Sequence, residues 1–197
     1  MFAIPVWRYE KGPNRFVNIL GKCITYFTGY PYTHVGIIYF GKLYESTIWL
    51  EDGKLRSGIR VRGLDDPSIV PPAFCMVPWR TELTPTMLYK IGDVLDRYIR
   101  FSRPYNVFKL IVLSFVWPTR WFWKAIKWVP FHHEVFGTVC STFVDRVMHS
   151  ARWDLFPDEW ESYTVPGQFA TIAGWRAERC MGVGGGEYAY LLDDIGD

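Results

Sequence analysis

The stretch TGYPYTHVGIIYFGKLYESTIW, residues 28–49, decides how this chain folds. Gly29-Tyr30-Pro31-Tyr32 signals a turn, since glycine tolerates left-handed backbone and proline fixes its own φ. His34 to Phe40 is β-branched and aromatic and reads as a strand, Gly41-Lys42 as a tight turn, and Leu43 to Trp49 as the returning strand of a β-hairpin. In that register Phe40 pairs with Leu43, and Glu45 falls opposite Ile38. Strand side chains alternate between faces, so His34 and Glu45 share one. They are still several residues apart along it, and a bulge or sheet twist must bring them together.

Outward from the hairpin, Glu51 to Gly53 makes another turn, Gly58 to Arg62 alternates as a short third strand, and Phe74 to Trp79 reads as a fourth, approached through Pro71-Pro72. Upstream, Phe16 to Thr28 has no clear period. Thr84 is a good N-cap with Pro85 at the first helical position, and Met87, Leu88, Ile91, Leu95, Tyr98 and Ile99 recur at helical spacing, which predicts an amphipathic helix ending near Phe101. After Ser102-Arg103-Pro104-Tyr105-Asn106 comes a second apolar segment that Pro118 ends or kinks. A further helix follows Gly137-Thr138, with Cys140, Phe143, Val144, Val147 and Met148 on one buried stripe. No internal repeat is visible.

The 197 residues, 49% hydrophobic and 21% charged, suit one globular domain over residues 1–181, followed by a Gly-rich, acid-ended tail over 182–197. A formal charge of +2 argues against a nucleic-acid partner, whose binding needs a strongly basic face. The four cysteines, at 23, 75, 140 and 180, form no CxxC and no Cys/His zinc spacing and read as mostly free thiols, although an even count permits two disulfides. The leading MFAIPVWRYEKGPNRF does not read as a secretory signal, so the compartment stays open. Leu110 to Thr119, the longest uncharged apolar run, is about half of the roughly 20 residues that a membrane span requires.

Cys140 falls in the first turn of its helix, where free backbone N–H groups and the positive end of the dipole favour a thiolate. The same place lets its own N–H donate to an oxyanion. The ordinary alternative is a small buried hydrophobe. His34, at a strand start, can project towards a helix terminus as a Cys–His pair requires, or can be a half-exposed histidine satisfied by a backbone carbonyl. Glu45 shares a strand face with His34, and Ser46 and Thr47 are neighbouring polar candidates to orient the ring; for Glu45 the alternative is a solvated strand carboxylate. His132-His133-Glu134 reads as loop, because adjacent histidines face apart and no metal spacing is present. In residues 116–131, VWPTRWFWKAIKWVPF, aromatics alternate with Arg120, Lys124 and Lys127. Such a segment suits a membrane interface, a glycan-stacking surface or a protein-docking ridge, or it completes the core.

Two blocks together resemble the circularly permuted NlpC-like family of papain-like cysteine peptidases and amidases: TGYPYTHVGIIYFGKLYES, with His-Val-Gly-Ile on a strand, and TVCSTFVDRVM, with Cys-Ser at a helix start. Ser102-Arg103-Pro104-Tyr105-Asn106 resembles the intervening Pro-Tyr element, and Thr164-Val165-Pro166-Gly167 the closing proline turn. His precedes Cys, as the permuted order has it. The resemblance implies an α+β, papain-like, circularly permuted NlpC-type domain in which an antiparallel sheet carrying His34 packs on helices, one of them carrying Cys140. It also implies a triad of Cys140, His34 and Glu45, with Tyr105 and Ser141 in the oxyanion and substrate-binding set, and neither metal nor organic cofactor. The implied activity is amide cleavage by a thiol hydrolase, first in peptidoglycan stem peptides, as a cell-wall endopeptidase and in one form carried by a bacteriophage particle. Permuted relatives resembling lecithin retinol acyltransferase act on lipid acyl groups, an alternative to which the aromatic-basic segment adds weight. A virion adaptor that kept the fold, docking through residues 116–131 and the tail, is the third reading.

Overall fold

The structure, a computed structural model, describes residues 2–10, 15–78, 83–101, 104–109, 119, 138–156, 164–172, 175–178 and 180. Apart from Thr119, the aromatic-basic segment 116–131 lies outside the described residues, as do His132-His133-Glu134 and the tail 182–197.

The predicted hairpin forms, with its turn one residue earlier than predicted and its pairing shifted by two residues. Phe40 and Gly41 both take positive φ, 44° and 76°, the pattern of a type I′ turn, so the two-residue loop is Phe40-Gly41 and not Gly41-Lys42. Tyr39 therefore pairs with Lys42, Ile38 with Leu43 and Ile37 with Tyr44. The single strand expected over His34 to Phe40 is two, β2 (Tyr32–Val35) and β3 (Ile37–Tyr39), parted at Gly36. Both lie beside β1 (Phe2–Arg8), a strand that the sequence reading did not identify and that Pro5 disguises. Pro5 is tolerated because it sits between the residues of β1 that pair with β3, Phe2 and Ala3, and those that pair with β2, from Val6 onward. There its carbonyl accepts the Gly36 N–H at 3.2 Å.

β4 (Lys42–Glu51) and β5 (Lys54–Gly63) make a longer hairpin than Gly58 to Arg62 suggested, closed by Asp52-Gly53, again both at positive φ. β6 (Phe74–Pro78) pairs with β1, and β7 (Trp175–Glu178) with β6, giving among the described residues a seven-stranded sheet in the order β5-β4-β3-β1-β6-β7, with β2 also on β1. Every pairing is antiparallel.

Three α-helices and a 3-10 turn (Pro166–Thr171) accompany it among the described residues. α1 (Arg15–Thr28) occupies the stretch in which no period was visible. Gly21 and the β-branched Ile24, Thr25 and Thr28 are weak helix formers, yet Gly21 is required because a Cβ there would meet the Tyr9 ring at 2.5 Å. The helix stops at Gly29, φ 72°, whose N–H returns to the Thr25 carbonyl. α2 (Pro85–Arg100) follows the sequence expectation, with the Thr84 hydroxyl accepting from the Met87 N–H at 3.3 Å and Ile91 and Leu95 buried. α3 (Cys140–Ser150) buries every residue from Cys140 to Met148.

The alternation of β1 divides the interior in two. Phe2, Ile4 and Val6, with Val35, Ile37, Tyr44 and Met76, face Ile91 and Leu95 of α2 and Phe143, Val144, Val147 and Met148 of α3. Each fully buried side chain of this size contributes about 1.5–3 kcal/mol, and Tyr98 meets Phe143 edge to face at 5.2 Å. On the opposite face Ala3, Trp7, Ile38, Leu43 and Cys75 pack with Ile69 of the segment joining β5 to β6. The architecture is thus mixed α and β, an open antiparallel sheet with helices. Cys75 is bonded to Cys180 in a disulfide, Cα atoms 5.0 Å apart, which corrects the reading of the cysteines as mostly free; Cys23 and Cys140 remain thiols. No helix among the described residues is long and apolar enough to cross a membrane.

Candidate active site

The mouth of α3 sits where the sheet divides. β2 and β4 do not pair directly, and Thr138 to Cys140 fits between them: the Ser46 hydroxyl donates to the Thr138 carbonyl at 3.1 Å on one side, and the Val35 N–H donates to the Cys140 sulfur on the other. Val139, the N-cap residue, has no side-chain acceptor for the first-turn N–H groups. The Ser141 N–H is thereby left to the sulfur, a second backbone donor. Cys140 is 2% exposed.

His34 reaches the same sulfur and hydrogen-bonds to it. Its Nε2 lies 3.0 Å from Glu45 Oε1, so Nδ1 is the nitrogen available to Cys140. The observed register explains how Glu45 arrives there. With Ile37 opposite Tyr44, the next position along places Glu45 beside Gly36, two residues from His34 on the shared face. A Cβ on Gly36 would stand 3.4 Å from Glu45 Cγ and 3.0 Å from the Tyr44 carbonyl, so the missing side chain leaves the carboxylate its path. The earlier turn shortens the separation, and the β1–β2 ladder also shifts register between Trp7 and Arg8, beside His34. Of the other two candidates to orient the ring, Ser46 is engaged with Thr138 and the Thr47 hydroxyl turns to the Ile48 carbonyl.

Two residues that sequence reasoning did not single out complete the surroundings. Trp7, the cross-strand partner of His34, backs the imidazole with ring centroids 5.1 Å apart, and its indole N–H is held by the Val70 carbonyl at 2.7 Å. Arg62 Nη2 lies 2.5 Å from Glu45 Oε2. The available signal for Arg62 was parity: in the observed ladder Glu45 faces Arg60, and Arg62 is the diagonal neighbour on the same face.

Burial would push the His34 pKa down, but the Cys140 sulfur and the Glu45 carboxylate outweigh it and raise it to about 10. Burial would likewise raise the Cys140 thiol; the His34 charge, its hydrogen bond and the two backbone N–H groups pull it below its ordinary value. Glu45, despite burial, is lowered by His34 and Arg62. Both shifts favour the thiolate and the imidazolium, the nucleophilic form of a Cys–His dyad.

Tyr105 bridges to Thr138 in parallel, and its hydroxyl reaches the Cys140 sulfur; burial and that sulfur raise it well above the usual phenol range, so it remains a donor. The Ser141 hydroxyl is committed elsewhere, donating to the Thr164 carbonyl at 2.6 Å in a buried position. What Ser141 offers the sulfur is its backbone N–H. Among the described residues no cluster of His, Cys, Asp and Glu is arranged to hold a metal ion. Comparison of the chain with protein-family models, with curated proteins and with solved structures found no match in any of the three.

Proposed function

We propose that this chain is a papain-like cysteine hydrolase of the circularly permuted NlpC type, acting on amide bonds. The observation that carries the reading is the Cys140 sulfur at a helix mouth, hydrogen-bonded to an imidazole whose far nitrogen rests on a buried carboxylate. In the first step the sulfur attacks the carbonyl carbon, forming the S–C bond, while the Cys140 N–H and the Tyr105 hydroxyl receive the developing oxyanion. Collapse breaks the C–N bond, and the His34 proton passes to the departing amine. His34, now neutral, takes a proton from water as its oxygen attacks the thioester. The acid then leaves and the thiolate–imidazolium pair returns.

Peptidoglycan stem peptides are the first substrate class, by the resemblance of the two blocks that carry His34 and Cys140. Transfer or hydrolysis of lipid acyl groups is the second, favoured by the exposed Phe101 and Phe108, 74% and 60%, on either side of Tyr105 in the chain. Purified muropeptides and phospholipid vesicles, each incubated with the protein and with Cys140→Ala, separate them: new amines in the first, released or transferred acyl chains in the second. Activity unchanged in Cys140→Ala ends the proposal. A chain inert on both substrates, with Cys140 no more reactive than Cys23, leaves the adaptor as the better account.

A further inference from the structure

Glu45 is a buried carboxylate with two cationic partners. One oxygen faces His34 Nε2 at 3.0 Å and the other Arg62 Nη2 at 2.5 Å, and its side chain is 5% exposed. Arg62, itself 10% exposed, is held from the far side, where Nη1 donates to Ser68 Oγ at 3.1 Å. Ser68 is fixed in turn by its N–H on Asp66 Oδ1 at 2.8 Å, and Asp66 by its N–H on the Gly63 carbonyl. The guanidinium is thus clamped between a turn and the Glu45 carboxylate.

We infer that Arg62 is a positioning residue for the second half of the reaction, keeping Glu45 ionised and aimed at His34 while the sulfur is acylated. The inference rests on the cysteine-hydrolase reading and deepens it. In the resting site the thiolate, the imidazolium, the carboxylate and the guanidinium balance in sign. Acylation changes that balance: the S–C bond removes the charge on sulfur, and the proton on His34 leaves with the amine. Glu45 then has no cation from His34. A carboxylate this buried takes up a proton unless another charge opposes it, and a protonated Glu45 no longer accepts from Nε2–H to keep Nδ1 open as the base for water. Arg62 is the group that does not change through the cycle.

The other charged groups near this pair do not replace it. Arg60 lies across the ladder from Glu45, with its guanidinium 5.8 Å over the Trp49 ring. Asp66 stands at the outer end of Arg62 and is an anion, and Tyr105 faces the sulfur, not the carboxylate. Without Arg62 the Glu45–His34 pair holds a proton to higher pH, whichever of the two carries it.

The test uses the full chain and 4-nitrophenyl acetate. Its burst of nitrophenolate reads acylation of Cys140, and its steady rate reads hydrolysis of the acetyl-enzyme. Arg62→Met should keep the burst, slow steady turnover by roughly 10- to 100-fold, and move the acid limb of the steady rate to higher pH. Arg62→Lys should return the limb towards its original position, and Ser68→Ala, which removes only the outer tether, should move it part of the way. A wild-type steady rate and an unmoved limb in Arg62→Met overturn the inference. So does equal loss of burst and turnover in Arg62→Met that Arg62→Lys does not repair, since that marks a merely structural role. If circular dichroism shows Arg62→Met unfolded, Ser68→Ala decides by the same limb. A wild-type chain with no burst, or a burst that survives Cys140→Ala, removes the hydrolase reading and this inference with it; a Cys140-dependent burst with Arg62→Met unchanged removes the inference alone.

Discussion

Ser46 donates its hydroxyl proton to the Thr138 carbonyl at 3.1 Å, with Thr138 Oγ1 a further 3.2 Å neighbour, and this buried contact fastens the strand that carries Glu45 to the segment that presents Cys140. Ser46→Ala removes one of two donors to that carbonyl, the Asn106 N–H at 3.1 Å remaining, which costs about 0.5–1.5 kcal/mol. Urea denaturation should show this loss, together with slower alkylation of Cys140 in the folded variant, because the sulfur is no longer held against Val35 and His34.

Alkylation by iodoacetamide, followed by mass spectrometry, should mark Cys140 ahead of Cys23 at pH 7, since the His34 charge and two backbone N–H groups pull the Cys140 thiol below its ordinary value. His34→Ala should erase that preference by removing the charge opposite the sulfur. Equal labelling of the two thiols in the unmodified chain would contradict the ion pair.

Glu45→Gln keeps a hydrogen-bond acceptor beside His34 but discards the charge. Glu45 is one of the groups that raise His34 to about 10, so the alkaline limb of hydrolysis, set by loss of the imidazolium proton, should move to lower pH in this variant, with turnover down by roughly 10- to 100-fold. The sign for stability runs the other way on the acid side. The folded pKa of Glu45 is lowered, so its contribution is present above the unfolded value and is lost as pH falls through the folded one. Acid unfolding of Glu45→Gln should therefore lack part of the loss that the unmodified chain shows below about pH 4.5.

Gly36→Ala puts a methyl 3.0 Å from the Tyr44 carbonyl and 3.4 Å from Glu45 Cγ. The backbone oxygen yields little, so the variant should lose about 1–3 kcal/mol. Its activity should fall further than stability alone explains, because Glu45 is displaced from His34; crystallography or the position of the pH limb checks this.

Reducing the Cys75–Cys180 bond, or replacing both residues with serine, frees a loop of 105 residues and should lower stability by about 2–4 kcal/mol. Thermal melts with and without reductant measure the difference. The Cys140 burst should survive at temperatures where the reduced chain is still folded.

The parts of the fold legible beforehand were those whose signals are local. The α2 boundaries followed from Thr84, Pro85 and the recurrence of Ile91 and Leu95, and the buried stripe of α3 from Phe143, Val144, Val147 and Met148. The shared face of His34 and Glu45 survived an incorrect turn because the error shifted the pairing by an even number of positions. The distance between them did not, since it depends on Phe40 adopting positive φ, an uncommon choice for a bulky residue. β1 stayed hidden because a strand buried on both faces shows no alternation and Pro5 argues against it. α1 was obscured by Gly21 and its threonines, whose reasons lie in Tyr9 and in helix carbonyls. Arg62 and Trp7 matter through long-range pairings that no local pattern displays.

β1 lies at the middle of the sheet, and through Trp7 it forms the wall behind the His34 ring. Trimming the first eight residues, a routine step when a flexible leader is suspected, would take away the partner strand of β2, β3 and β6 at once. What looks like an expendable flank is structurally the keel, and expression designs for this protein should leave it whole.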